Sequence, residues 1–251
     1  MTEPAAVKQT VTVREKIIVA LDVENAAKAR SVMDELRGEV GAFKIGLQLF
    51  TAAGAEFVRE VAGSGSRIFL DLKFHDIPNT VASAAVEAAR LGVWMFNVHA
   101  LGGQEMMRRT ADAVSEVCER EHLARPNVIA VTVLTSSNAE TLKEIGIETP
   151  VENEVGRLAN LTADSGLDGV VASPLEIGLI RDAVSAKDFL IVTPGIRPFN
   201  ATNDDQKRVM TPAEAISAGS NYLVIGRPIV QAKDRIGAVN EILANLGSDS
   251  Q

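Results

Sequence analysis

Apolar residues fall into eight short runs, each followed by a longer segment with helical spacing of apolar and polar positions. The runs are IIVALDV (17–23), AFKIGL (42–47), RIFLDLK (67–73), MFNVHA (95–100), NVIAVTVLT (127–135), GVVAS (169–173), LIVTPGI (190–196) and YLVIGRP (222–228). Runs this apolar and rich in β-branched residues predict strands buried on both faces, the mark of a parallel sheet. The segments between them, such as NTVASAAVEAARLG and GGQEMMRRTADAVSEVCER, are alanine-rich and amphipathic and predict helices. Eight such units in 251 residues predict an α/β fold, a (β/α)8 TIM barrel. The reading is one domain over 1–251, with tails at 1–15 and 246–251. SSNAETLKEIGIETPVENEV, between runs five and six, is long enough for an extra helix. PFNATNDDQKRVM (198–210) is polar and weakly periodic, and predicts a long functional loop after strand seven.

Composition narrows the classes. At 46% hydrophobic and 23% charged the chain is ordinary globular material. Its net charge is −8, with Lys and Arg scattered, so there is no basic stripe for nucleic acid. The single cysteine, Cys118, cannot form an internal disulfide; it lies in AVSEVCER and reads as helix packing in a reducing compartment. No apolar run precedes Ile17, which argues against a signal peptide, and no stretch nears the roughly 20 residues that span a bilayer. These features predict a soluble, cytoplasmic protein with no membrane partner.

Barrels place their chemistry at the C-terminal ends of the strands. Polar or charged residues stand at or near several of those ends: Asp22, Lys44, Asp71 with Lys73, His99, Thr135, Ser173 and Arg227. In FLDLKFHDIPNT (69–80), Asp71 and Lys73 are two apart and predict one shared face, toward the barrel mouth. Ile68, Leu70 and Leu72 then face the helices. Lys44, Asp71, Lys73 and Asp76 supply two cations and two anions that can alternate. One such pair at 4 Å is worth about 4 kcal/mol at an effective dielectric near 20. A network of this kind keeps both lysines charged, leaves one able to protonate a carbon, and sets a carboxylate against an anionic substrate group. A structural salt-bridge cluster is the plainer alternative; the position at a barrel strand end favours the functional one.

TPGIRP (193–198) and IGRP (225–228) follow strands seven and eight, where barrels commonly hold phosphate. Gly195 and Gly226 let backbone N–H groups approach an anion, and Arg227 offers a planar fork. Gly and Pro that merely turn the chain are the alternative. Two such turns at the expected loops, each with an arginine, favour a phosphorylated small molecule, its reacting atom beside strands two and three. Neither a metal cluster, a pyridoxal-type lysine context nor a dinucleotide fingerprint is present in the sequence, so no metal and no cofactor is expected.

Assembled in this order, the motifs resemble the orotidine 5′-phosphate decarboxylase family over nearly the whole chain. FLDLKFHDIPNT matches that family's D-x-K-x-x-D-I-x-x-T signature, and VTVLTS, VTPGIR, NDDQ and VIGRPI follow in order. The resemblance implies decarboxylation of orotidine 5′-monophosphate to UMP without a cofactor. It implies Lys44, Asp71, Lys73 and Asp76 as the catalytic tetrad, with Lys73 protonating C6 and Asp71 beside the departing carboxylate. It further implies a homodimer in which Asp76 and Thr80 reach the neighbouring site. Asp22, Lys44 and Thr80 would contact the ribose, Thr135 the pyrimidine edge, and Arg197, Gln206, Gly226 and Arg227 the phosphate. His75 and His99 are expected to be structural.

The nearest rival is a magnesium-dependent sugar-phosphate decarboxylase or aldolase, such as 3-keto-L-gulonate 6-phosphate decarboxylase or hexulose-phosphate synthase. These share D-x-K-x-x-D but carry an acidic metal ligand where this chain has Lys44. A non-catalytic nucleotide-binding barrel would need the phosphate loops but not the tetrad.

Overall fold

The protein is described by a computed structural model over residues 12–196 and 210–247. Eight parallel strands close in sequence order, β1 pairing with both β2 and β8. They are β1 (Ile17–Ala20), β2 (Ala42–Gly46), β3 (Ile68–Phe74), β4 (Met95–His99), β5 (Asn127–Val131), β6 (Gly169–Val171), β7 (Leu190–Pro194) and β8 (Tyr222–Ile225). The predicted runs contain these strands except that β3 runs one residue further, to Phe74, and the (β/α)8 barrel is the fold.

Helices return the chain between strands. They are α1 (Ala26–Leu36), α2 (Leu47–Gly63), α3 (Pro78–Arg90), α4 (Gly103–Glu121), α5 (Ala139–Glu144), α6 (Val151–Asp164), α7 (Ile177–Ala183) and α8 (Pro212–Ser217), with α9 (Arg227–Val230) and α10 (Arg235–Gly247) after β8. The expected extra helix between strands five and six is α5. Local chemistry sets several starts: Asn25 caps α1 by accepting from the Lys28 N–H at 3.0 Å, and Thr211 with Glu214 forms a capping box on α8.

Alternation along the strands separates two cores. Ile18, Ala20, Ala42, Phe69, Met95, Ile129, Val192 and Val224 fill the barrel interior. Their neighbours Ile17, Val19, Phe43, Ile68, Leu70, Phe96 and Val98 pack outward against the helices. Trp94 and Tyr222 meet edge to face at 5.0 Å beside that interior cluster. Burial on this scale, at about 25 cal/mol per Å2 of apolar surface, is the main force holding the barrel closed. Cys118 is buried in α4, where burial pushes its thiol up.

At both ends of the described residues the chain packs on the barrel. Residues Arg14–Lys16 form a turn against the barrel, and an added Cβ at Gly41 would meet the Glu15 carbonyl oxygen at 2.0 Å. α10 continues through Gly247 because Leu246 is buried in the outer core. The segment 198–210, read as a long loop, lies outside the described residues except for Met210, which bridges to Ile196.

Candidate active site

The inward-facing ladder of each of the first three strands starts apolar and ends polar, which brings charge to the mouth. On β1 the sequence Ile18, Ala20 leads to Asp22; on β2 Ala42 leads to Lys44; on β3 Phe69 leads to Asp71 and Lys73. Strand pairing aligns Ala20 with Lys44 and Gly46 with Asp71, so these side chains meet across three strands. The result is an alternating row. Lys44 Nζ lies 3.6 Å from Asp22 Oδ1 and 3.2 Å from Asp71 Oδ2, and Lys73 Nζ donates to Asp71 Oδ1 at 2.7 Å. Lys44 and Asp71 are 12% and 13% exposed at the side chain, whereas Asp22 is 61% exposed.

Burial works against a charged Asp71. The Lys44 and Lys73 ammoniums, with hydrogen bonds from Lys73 and Asn97, outweigh it and hold the carboxyl below its ordinary range. Asp71 is therefore anionic, and a second anion placed beside it meets fixed negative charge.

β3 reaches this geometry by an irregular path. The register between β3 and β4 shifts between Leu70 and Phe74, and Lys73 has φ +53°, the left-handed region. Plain alternation correctly places Asp71 and Lys73 on one side, but it carries no sign of the bulge. Asn97, fully buried on β4, spans the irregularity: its side-chain N–H donates to Asp71 Oδ1 at 2.7 Å, and its oxygen accepts from the Lys73 N–H at 2.8 Å. Sequence reasoning passes over Asn97. The available signal is a polar residue at an inward position of the apolar run MFNVH.

Two adjoining cavities flank the row. One, of about 250 Å3, is lined by Asp22, Lys44 and Asp71 on one side and by Gly195, Gly226 and Arg227 on the other. The second, of about 160 Å3, shares Lys44 and Asp71, adds Lys73 and Thr135, and is otherwise walled by apolar residues including Val131 and Leu134. Gly195 has φ +78°, a conformation that favours glycine, and an added Cβ at Gly226 would press on Ala20 Cβ at 3.3 Å. Both glycines thus keep bare backbone at the cavity wall.

Of the residues named from the sequence, Asp22, Lys44, Asp71, Lys73, Thr135, Gly226 and Arg227 line these cavities. Asp76 and Thr80 do not. Both are exposed, and the Asp76 carboxylate accepts from the Ile77 N–H at 2.6 Å. Within one chain the tetrad is therefore not assembled: the anion next to Lys44 besides Asp71 is Asp22. The reason is geometric, since the chain turns into α3 immediately after Asp76. Arg197 and Gln206 lie outside the described residues. His75 is exposed and stacks on His99, ring centroids 5.4 Å apart, and neither lines the cavities. The Ser173 N–H donates to the Glu176 carboxylate at 3.0 Å, a structural use at the end of β6.

Lys44 itself supplies the positive charge between Asp22 and Asp71, the place a metal ion would take between two carboxylates. No group of three or more His, Cys, Asp or Glu able to hold a metal occurs among the described residues.

The chain is similar to known proteins over most of its length. A protein named orotidine 5′-phosphate decarboxylase from Syntrophotalea carbinolica is 55% identical over 238 residues, covering 95% of this chain and 97% of the relative. Its namesake from Geobacter sulfurreducens is 58% identical over 233 residues, covering 93% and 96%. The crystal structure of orotidine 5′-phosphate decarboxylase from Lactobacillus acidophilus superposes with a TM-score of 0.81 at 36% identity, covering 92% of this chain and 99% of that one. Residues 15–242 match the family described as Orotidine 5′-phosphate decarboxylase / HUMPS family, and the chain belongs to that family.

Proposed function

We propose that the protein decarboxylates orotidine 5′-monophosphate to UMP and CO2, a carboxy-lyase step of pyrimidine nucleotide synthesis, without a cofactor. The observation that carries this reading is the Asp22–Lys44–Asp71–Lys73 row that runs from one cavity into the next, Lys44 and Asp71 lining both; one cavity is walled by glycines and an arginine, the other is mostly apolar. The full-length relatives named for the same activity support it.

In this reading the phosphate sits against Gly226 and Arg227, joined by Arg197 and Gln206, and the ribose against Asp22 and Lys44. Thr135 meets the pyrimidine edge. The substrate carboxylate is set beside Asp71, whose fixed negative charge raises the energy of the bound acid. The bond from C6 to the carboxyl carbon breaks, its electron pair stays on C6, and CO2 leaves. The Lys73 ammonium gives C6 its proton and regains one from solvent. Fixed charge aimed where negative charge develops is the strongest stabilisation open to a site that works without a cofactor.

The active unit is a homodimer in which Asp76 and Thr80 complete the neighbouring site. Their exposure in the single chain supports this, as does Ile77 between them, which is 67% exposed. The chain folds as one barrel domain and works in the cytoplasm; no helix among the described residues is long and apolar enough to cross a membrane.

The test follows the fall in ultraviolet absorbance as orotidine 5′-monophosphate becomes UMP, with and without excess EDTA. Turnover that EDTA leaves unchanged is expected. Absence of turnover, or a loss that Mg2+ restores, overturns the cofactor-free reading.

A further inference from the structure

Asn97 makes two side-chain hydrogen bonds, and both go to the charged row. Its amide N–H and the Lys73 ammonium converge on one oxygen of Asp71, each at 2.7 Å, while the other oxygen faces Lys44 at 3.2 Å. Its amide oxygen takes the Lys73 backbone N–H at 2.8 Å. That N–H belongs to the stretch where the ladder between β3 and β4 slips, so the Asn97 side chain stands in for a strand partner. Lys73 is left-handed there, a conformation that a non-glycine residue keeps only when its surroundings hold it. The amide cannot be turned over: its oxygen would then face a carboxylate and its NH2 a backbone N–H.

We propose that Asn97 is a positioning residue for the decarboxylation. One buried amide fixes both the Asp71 carboxylate and the backbone from which the Lys73 ammonium projects. The proposal rests on the reading of Asp71 and Lys73 as the reacting pair. It assigns turnover, rather than binding, to Asn97, because the phosphate and ribose side of the cavity lies against other strands.

The titratable groups around this amide are Asp71 and Lys73 from β3, Lys44 from β2 and, beyond Lys44, Asp22 from β1. His99, on the same strand, feels the charge of Lys73. An Asn97→Asp change therefore sets a second carboxylate against Asp71, and one proton is shared between the two. The protonated pair restores the donor to Asp71 and the acceptor for Lys73.

Three measurements on the full-length enzyme test this. Asn97→Ala is expected to lower kcat about 100-fold while KM and the Kd for UMP stay within about threefold. Asn97→Asp, close to isosteric and suited to folding, is expected to gain an acid limb, with kcat rising at least tenfold as pH falls from about 8 to about 6, where wild type lacks it. In a crystal structure of Asn97→Ala, which removes the acceptor for the Lys73 N–H, Lys73 is expected to leave the left-handed region. Variants with wild-type kcat and pH profile, or a loss confined to KM, overturn the proposal. So does an unmoved Lys73, and that geometric readout needs no substrate. Wild-type enzyme in the same assay reports separately on the decarboxylase reading.

Discussion

Asp71 is held charged in a place where burial alone would favour its neutral form. Two ammoniums face it from β2 and β3, and removing either leaves an uncompensated charge at the mouth. Lys73 is the proton donor in the proposed chemistry; its ammonium donates to one oxygen of Asp71 while Lys44 stands 3.2 Å from the other. Lys73→Ala is expected to lower kcat at least about 1,000-fold, at the upper range for a lost general acid combined with lost electrostatic stabilisation, with the fold retained. A near-normal decarboxylation rate in that variant removes Lys73 from its role.

His99 offers a stability test at the same scale. Its ring is largely buried, and burial first, then the charges of His75 and Lys73, push its pKa down to about 4 from the ordinary 6.5. The unfolded chain thus takes up this proton near pH 6.5 and the folded chain only near 4. Stability is lost as pH falls through that window and no further below it. His99→Gln is expected to flatten the fall of Tm between those pH values, by an amount equivalent to about 1–2 kcal/mol after allowance for partial exposure. A variant whose Tm falls as steeply as wild type contradicts the assignment. Asp71 loses stability in the same direction but in a lower window: its depressed pKa confines its own loss to pH below the ordinary carboxylate range.

Single elements explain which parts of the site were legible. The runs that became strands, and the helices between them, follow from alternation and helical periodicity, both properties of near neighbours. The strand-end residues Asp22, Lys44 and Asp71 were legible because charge at the end of an apolar run needs a use. Asn97 was not, because one polar residue in MFNVH carries no mark of its partners 24 and 26 positions away. The short helix α9 opens with Arg227 directly after Gly226, at the cavity wall. A charged hydrogen bond to phosphate contributes about 1.5–3 kcal/mol, so Arg227→Ala is expected to raise KM roughly 10- to 100-fold with a smaller effect on Tm. Steady-state kinetics at saturating substrate separate this from a loss of turnover; an unchanged KM places the phosphate elsewhere.

The whole molecule decides what one chain cannot. Asp76 lies just before α3 and Thr80 in its first turn, both exposed and off the cavities; the proposed homodimer would close each site with the neighbouring copy's pair. Lys73→Ala and Asp76→Asn homodimers are then each impaired. Mixed under conditions that exchange subunits, half the dimers are hybrids, and a two-fold arrangement gives each hybrid one site with both native residues. About a quarter of wild-type activity is expected in an equal mixture. No recovery above the sum of the two parents counts against a shared site.

By itself the sequence determined the eight alternating units, the barrel they close and the charged residues at its mouth. Those depend on hydrophobic periodicity and on the cost of burying charge, which act locally along the chain. Tertiary structure alone decided that Asp22 rather than Asp76 flanks Lys44 within one chain. It also decided that β3 slips against β4, and that Asn97 ties Asp71 to a left-handed Lys73. These depend on inter-strand register and on the direction of a side chain across the barrel, which no local pattern specifies.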